Sequence, residues 1–263
     1  MTEPIILCET DARGVATVTF NRPEVNNAYN SEFIKSVLDT AGKLAVDDAV
    51  RLVVLRGNGR HFQAGADLKW LKQVSKMTPE ENLEISQRTT DAVRGLNEFP
   101  KPTMALVHGG CFGGGTGIIA ACDIVIASED AIFSITEARW GVMAGPIFPQ
   151  LNACMGQHNV RRYALTCERF GPRQAHAMGL VNAVCPVGEL DATAAPLIEA
   201  ILSGGPAALR ETKKLIRDVA GIAVPDDMAE GLALQHALKR QTDEADEGLL
   251  SFIEKRNPSW YPG

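Results

Sequence analysis

The sequence is informative first for what it lacks. Basic residues do not exceed acidic ones: 26 lysines and arginines stand against 32 aspartates and glutamates, for a net charge of −6 and an isoelectric point near 5.5. That balance argues against general nucleic-acid or membrane-surface binding and leaves room only for a local basic patch. No apolar run approaches the ~20 residues of a membrane-spanning helix. Met1-Thr2-Glu3-Pro4 lacks the basic-then-apolar layout of a signal peptide. The six cysteines form no CxxC pair, and most lie in apolar surroundings. Free thiols in a reducing compartment are expected, with the cytoplasm as the expected location. The five histidines show no metal-ligand spacing, so no metal is expected. What is present is a chain of 263 residues, 45% hydrophobic and 22% charged, enough for a large core in one or two domains.

The chain is organised around Val107-His108-Gly109-Gly110-Cys111-Phe112-Gly113-Gly114-Gly115-Thr116-Gly117, in which six of eleven residues are glycine. The apolar run Thr103–Val107 before it reads as a buried strand, and Ile118–Cys122 after it as the start of a buried helix. Glycine lets a backbone approach a ligand with no Cβ in the way, and free N–H groups at a helix start favour a negative oxygen. Phosphate motifs do not fit. From Gly113 the G-x-G-x-x-G spacing ends on Ile118, and no Gly-Lys-Ser/Thr follows. Tight helix–strand packing is the purely structural alternative. A second small-residue turn, Gln63-Ala64-Gly65-Ala66-Asp67, also follows a strand-like run. Two such turns could aim two N–H groups at one oxygen, an oxyanion hole.

Ile5–Glu9 and Val15–Phe20 read as a hairpin, and residues 21–28 as a loop. A helix capped by Ser31 runs to Val46, followed by a strand over Leu52–Arg56 and a helix starting near Leu68. Ser75–Glu81 is polar and poorly periodic. A helix over Asn82–Phe99 ends at Pro100 and Pro102. Strands are expected at Ile124–Ala127, Ala131–Ile135 and Val181–Cys185. Helices are expected at Gly156–Glu168, Pro172–Met178, Leu190–Leu202, Pro206–Val219, Asp226–Gln241 and Asp246–Lys255, with a hinge at Pro225. Strand-turn-helix recurs from Leu52, Thr103 and Ile124. A repeated ββα spiral and a doubly wound sheet both explain that recurrence.

Glu137 lies between Ile132-Phe133-Ser134-Ile135 and Trp140-Gly141-Val142-Met143. A carboxyl group there is partly desolvated, which favours its protonated form and suits acid/base work. The plainer alternative is a helix-start glutamate paired with Arg139. Asp67 reads equally as part of a site or as an N-cap. Asp123, after an apolar helix, reads as a structural acceptor of backbone groups.

These residues resemble a known family. Asn21-Arg22-Pro23, His61-Phe62-Gln63-Ala64-Gly65-Ala66-Asp67-Leu68, Pro100-Lys101-Pro102, Gly113-Gly114-Gly115, Ala121-Cys122-Asp123, Glu137 and the run Ala175–Val181 look like the enoyl-CoA hydratase/isomerase (crotonase) superfamily, in order and along essentially the whole chain. The resemblance implies an α/β fold: a crotonase core of ββα units over residues 1–200, and a helical region over 201–263 that packs in a homotrimer or dimer of trimers. It implies an acyl-CoA thioester as partner, with coenzyme A part of the substrate and no separate cofactor. It implies that the N–H groups of Ala66 and Gly114 hold the thioester oxygen, and that Glu137 transfers the proton. Arg22, Val25, Ala28, Ala64, Asp67 and Leu68 match segments that line the CoA site in the family.

Two positions depart from the pattern. Typical hydratases of the family carry a second glutamate where this chain has Gly117, and often a proline where it has Ala144. A lone glutamate resembles the Δ3,Δ2-enoyl-CoA isomerases. The remaining motifs look closer to bacterial hydratases of 3-branched glutaconyl-CoA esters, those of 3-methylglutaconyl-CoA and isohexenylglutaconyl-CoA. Ala144 and Gly145 are small enough to leave space for a long acyl tail. Hydration of such an ester is therefore expected. Double-bond isomerisation and a non-catalytic acyl-CoA-binding or RNA-associated role are the alternatives.

Overall fold

A computed structural model describes residues 3–220 and 242–262. Eight strands and ten α-helices among them follow the chain: β1 (Ile6–Thr10), β2 (Val15–Phe20), α1 (Ser31–Val46), β3 (Leu52–Gly57), α2 (Leu68–Val74), α3 (Pro79–Asn97), β4 (Thr103–Val107), β5 (Gly110–Phe112), α4 (Gly114–Ala120), β6 (Ile124–Ser128), β7 (Ile132–Ser134), α5 (Phe148–Met155), α6 (Gln157–Thr166), α7 (Pro172–Ala177), β8 (Ala183–Cys185), α8 (Leu190–Ser203), α9 (Pro206–Asp218) and α10 (Asp243–Glu254). The expected Pro225 hinge and Asp226–Gln241 helix lie outside the described residues. No single helix among the described residues is long and apolar enough to cross a membrane.

The main sheet has the order β1-β2-β3-β4-β6-β8, antiparallel only between β1 and β2. β5 and β7 form a second, parallel pair. The chain thus crosses the main sheet and then the small one twice, as β4–β5 and β6–β7. Gln63, beyond β3, bridges Cys111 of β5 in the same parallel sense. Three successive passes of this kind are the ββα spiral; the doubly wound alternative does not occur.

Strand periodicity sends alternate side chains to opposite faces. Val53 and Leu55 of β3 join Val18, Ala105, Val107, Val125 and Ala127 on one face. Leu52 and Val54 join Val15, Met104, Leu106 and Ile126 on the other. The helix α8 covers this second face with Leu190, Ala194 and Leu202. Both faces are buried, so β4 is buried at all five positions, as its unbroken apolar run requires. No side chain of α9 is buried.

Several boundaries differ from expectation for local reasons. Asn30, not Ser31, caps α1: its Oδ1 accepts from Phe33 N at 2.9 Å. Ser31 is the first helical residue, and its hydroxyl accepts from Trp70 Nε1 at 3.1 Å. The helix α3 starts at Pro79 rather than Asn82, because Thr78 and Glu81 form a reciprocal capping box. The helix α6 ends at Thr166, where Cys167 turns left-handed. The strand β5 inside the glycine stretch and the helix α5 were not expected: three residues are too few for a period, and Pro146 and Pro149 mask the helix.

Candidate active site

The glycine stretch is a strand, a bend and a helix start. Its pivot is Gly113, at φ 51° and ψ −123°, a conformation open only to glycine. A Cβ there would also lie 2.9 Å from Glu137 Oε1 and 3.0 Å from Thr136 Oγ1. The bend therefore delivers the start of α4 directly against Glu137.

The upstream turn is held as tightly. Buried Gln63 folds its amide back on the chain: Oε1 accepts from Gly65 N at 2.8 Å, and Nε2 donates to Gly65 O at 3.2 Å. Tyr29 runs alongside, its N–H donating to Gly65 O and its carbonyl accepting from Asp67 N, both at 2.9 Å. The amides around each turn are thus occupied: Gly65 by Gln63, Asp67 by Tyr29, and Gly113 by Ser134 O. No protein acceptor among the described residues takes the N–H of Ala66 or of Gly114. Unpaired amides inside a fold are costly unless a ligand or water serves them.

Both residues line one cavity of about 1030 Å³, together with Ala64, Leu68 and Glu137. The cavity runs inward between α1 and α3, with Val37, Ala41, Ile85, Val93 and Ile147 among its walls. The only charged side chains among the described residues lining it are Glu137, Arg139 and Arg169. Glu137 opens a short 3-10 turn, Glu137–Trp140, stopped by left-handed Gly141. Its Oε2 is buried with no hydrogen-bond partner among the described residues. Burial pushes the carboxyl pKa up from the ordinary carboxylate range, while the N–H groups of Glu137 and Thr136 pull it down less strongly. Glu137 is not paired with Arg139, whose Nη2 donates instead to Cys167 O at 3.1 Å.

Four of the residues matched to the CoA segment form a cluster beside the cavity rather than in its wall. Arg22 donates through Nη1 to Ala28 O, and its Nη2 lies 4.0 Å from Asp67 Oδ2. Asp67 is the N-cap of α2, its Oδ1 accepting from Lys69 N at 2.9 Å and Trp70 N at 3.4 Å. Ala28 is buried, and Val25 closes a 3-10 turn over Pro23–Val25. Buried Asn27 binds this loop to the body: its Oδ1 accepts from Arg22 N, and its Nδ2 donates to the carbonyls of Asn58, His61 and Phe62. Asp123 is structural, accepting from Thr103 N, Thr103 Oγ1 and Lys213 Nζ at 2.7–2.9 Å.

Gly117, the departure from the two-glutamate pattern, is built in. A Cβ there would lie 2.0 Å from Ile147 Cγ2 and 2.5 Å from Ile147 Cβ. Ile147 occupies the space that a longer side chain at 117 would enter.

Sequence reasoning did not single out Tyr29, Gln63, Ile147 or Arg169. The guanidinium of Arg169 sits 5.5 Å from the Phe112 ring centroid at the cavity wall, with no ion pair among the described residues. The pair Gln63-Ala64 beside Gly65 carried the signal for Gln63. No local signal marks the other three, because their neighbours are distant in sequence.

Two small-residue turns thus present unpaired amides beside a desolvated carboxyl, an arrangement suited to holding an oxygen that gains negative charge next to an acid/base group. The family description enoyl-CoA hydratase/isomerase matches residues 10–262. A Thermus thermophilus protein, provisionally named an enoyl-CoA hydratase, is 36% identical over 93% of this chain and 96% of its own. The hydroxycinnamoyl-CoA hydratase-lyase of Pseudomonas fluorescens is 34% identical over 76% of this chain and 74% of its own. The crystal structure of an enoyl-CoA hydratase from Shewanella pealeana superposes with a TM-score of 0.93 at 33% identity, covering 98% of this chain and 96% of that one. The chain belongs to the enoyl-CoA hydratase/isomerase family. It is an enzyme of the enoyl-CoA hydratase type, a hydro-lyase.

Proposed function

We propose that this enzyme adds water across the 2,3-double bond of a 3-branched glutaconyl-CoA, with Glu137 as its single acid/base and the N–H groups of Ala66 and Gly114 as its oxyanion donors. The observation that carries the reading is the desolvated Glu137 carboxyl, its Oε2 without a partner among the described residues, in one cavity with two amides that no described residue pairs. Ionised Glu137 takes a proton from water as the water oxygen bonds to C3. The C2–C3 π pair moves through C1 to the thioester oxygen. Charge develops on that oxygen in the transition state, and fixed donors in a dry site stabilise it, each worth about 3–4 kcal/mol. The enolate pair then returns to C2, which takes the proton from Glu137. Net addition is one water, and the carboxylate is regenerated.

Two features support the acyl group. A cavity of about 1030 Å³ is at the upper end of small-molecule sites, roughly 300–1,000 Å³, and suits a branched or extended tail. A glutaconyl chain also ends in a carboxylate, which an apolar cavity accepts only beside a cation; Arg169 lines this one without an ion-pair partner among the described residues. The family's trimer or dimer of trimers is part of the same proposal.

The test is hydration of crotonyl-, 3-methylglutaconyl- and isohexenylglutaconyl-CoA by the wild type and by Glu137→Gln, with the fold of the variant confirmed by circular dichroism. Preference for the glutaconyl esters and loss of turnover in E137Q are expected; E137Q hydrating at the wild-type rate removes Glu137 from the chemistry. A second reading, Δ3,Δ2-enoyl-CoA isomerisation, is favoured by the closed space at Gly117, since one base can shuttle one proton. Heavy-oxygen water decides between them, because label enters the product only in hydration.

A further inference from the structure

Tyr29 occupies the junction of everything the proposed reaction uses. Its backbone is hydrogen-bonded to both sides of the Ala66 turn. Its ring lies edge-to-face on Trp70, with centroids 5.7 Å apart. Across the site the ring edge presses on Gly114: a Cβ at that position would lie 2.6 Å from Tyr29 Cε1 and 3.4 Å from the hydroxyl. Glycine at 114 is thus what admits the ring. The side chain lines the cavity, and no protein group among the described residues hydrogen-bonds its hydroxyl. A largely buried phenol usually finds a partner. Here the side chain faces the cavity that also holds Ala66, Gly114 and Glu137.

We infer that the Tyr29 hydroxyl is a third hydrogen-bond donor to the thioester oxygen, beside the N–H groups of Ala66 and Gly114, and that it strengthens a site left with one carboxyl group by Gly117. This inference rests on the enolate reading above. Burial, with the Glu137 charge adding to it, pushes the phenol pKa up to about 12. The hydroxyl therefore keeps its proton throughout the working range and has it available for a hydrogen bond. No proton is transferred from Tyr29, and its effect grows as negative charge develops on the oxygen.

The test compares the wild type with Tyr29→Phe. No group among the described residues hydrogen-bonds the hydroxyl, so Y29F leaves the packing of the ring on Gly114 and Trp70 intact. Two readouts separate an oxygen donor from a residue that orients water. The first is the red shift of a para-amino-substituted cinnamoyl-CoA on binding, which reports polarisation of the thioester carbonyl. The second is exchange of the α-protons of butyryl-CoA with deuterated water, which passes through the enolate and needs no nucleophilic water. Y29F is expected to show a smaller red shift and slower exchange. Its hydration kcat is expected to fall on the order of 10²-fold with KM little changed. A full red shift and wild-type exchange in Y29F overturn the inference even if hydration slows, since Tyr29 then acts on the water. A wild-type protein that neither shifts the probe nor hydrates any enoyl-CoA fails at the enolate reading itself, and the inference falls with it.

Discussion

Adding one methyl group at Gly117 tests how firmly the structure excludes a second acid. In Gly117→Ala the new Cβ starts 2.0 Å from Ile147 Cγ2, where ordinary contact begins at 3.4 Å. Ile147 is only 3% exposed and is penned into the short 3-10 turn Gly145–Ile147. Rotating the side chain toward the cavity still leaves Ile147 Cβ 2.5 Å away, so the turn or α4 must shift by about 0.9 Å to reach ordinary contact at 3.4 Å. Overpacking of this kind costs roughly 1–3 kcal/mol. Replacing glycine inside a helix returns up to about 1 kcal/mol. The net expectation is a destabilisation of about 1–2 kcal/mol, a fall of roughly 2–8 °C in Tm for a chain of this size. Differential scanning calorimetry at fixed protein concentration reads it, since any assembly makes Tm concentration-dependent. Trimming the obstacle should reverse the sign: in an Ile147→Ala background, the same substitution should be neutral or stabilising. A Gly117→Ala protein as stable as the wild type in the native background would refute the packing argument. The space beside Glu137 would then be open to a second carboxyl.

The acid limb of kcat/KM should lie above the ordinary carboxylate range, because burial raises the Glu137 pKa and the ionised form is the base. Activity should fall as pH drops through that raised value, and a pH–rate profile with a limb at or below 4.5 would count against Glu137 as the base. Asn27→Ala should cost about 3 kcal/mol in urea denaturation, since one donor pair serves three carbonyls and one acceptor serves Arg22 N. Gln63→Ala should lower kcat by about tenfold while Tm falls by only a few degrees. It frees the Gly65–Ala66 turn rather than removing a group from the acyl oxygen. Arg169→Ala should raise KM for a glutaconyl ester and leave crotonyl-CoA hydration almost unchanged, read by parallel steady-state kinetics.

The local chemistry of the chain determined a great deal. The unbroken apolar run Thr103–Val107 reads as a strand buried on both faces, and it is one; the recurrence after Leu52, Thr103 and Ile124 left a spiral and a doubly wound sheet open, and the family resemblance implied the spiral. Glycine where a backbone must bend sharply, and a glutamate between two apolar segments, exposed both ends of the candidate site. These are short-range properties, set by sterics and periodicity within a few residues. Other features were settled only when distant segments met. The N-cap at Asp67 is local, but its approach to Arg22, 4.0 Å away, needs the loop before α1 to fold back onto the start of α2. Whether Glu137 is paired depends on Arg139 finding Cys167 O instead. Tyr29 gains its place only because Gly114, 85 positions along the chain, lacks a side chain where the ring packs. Gly117 reads in the sequence as a missing acid. Only the tertiary structure shows that Ile147 fills its place, because volume exclusion between remote residues leaves no mark on either one's neighbours.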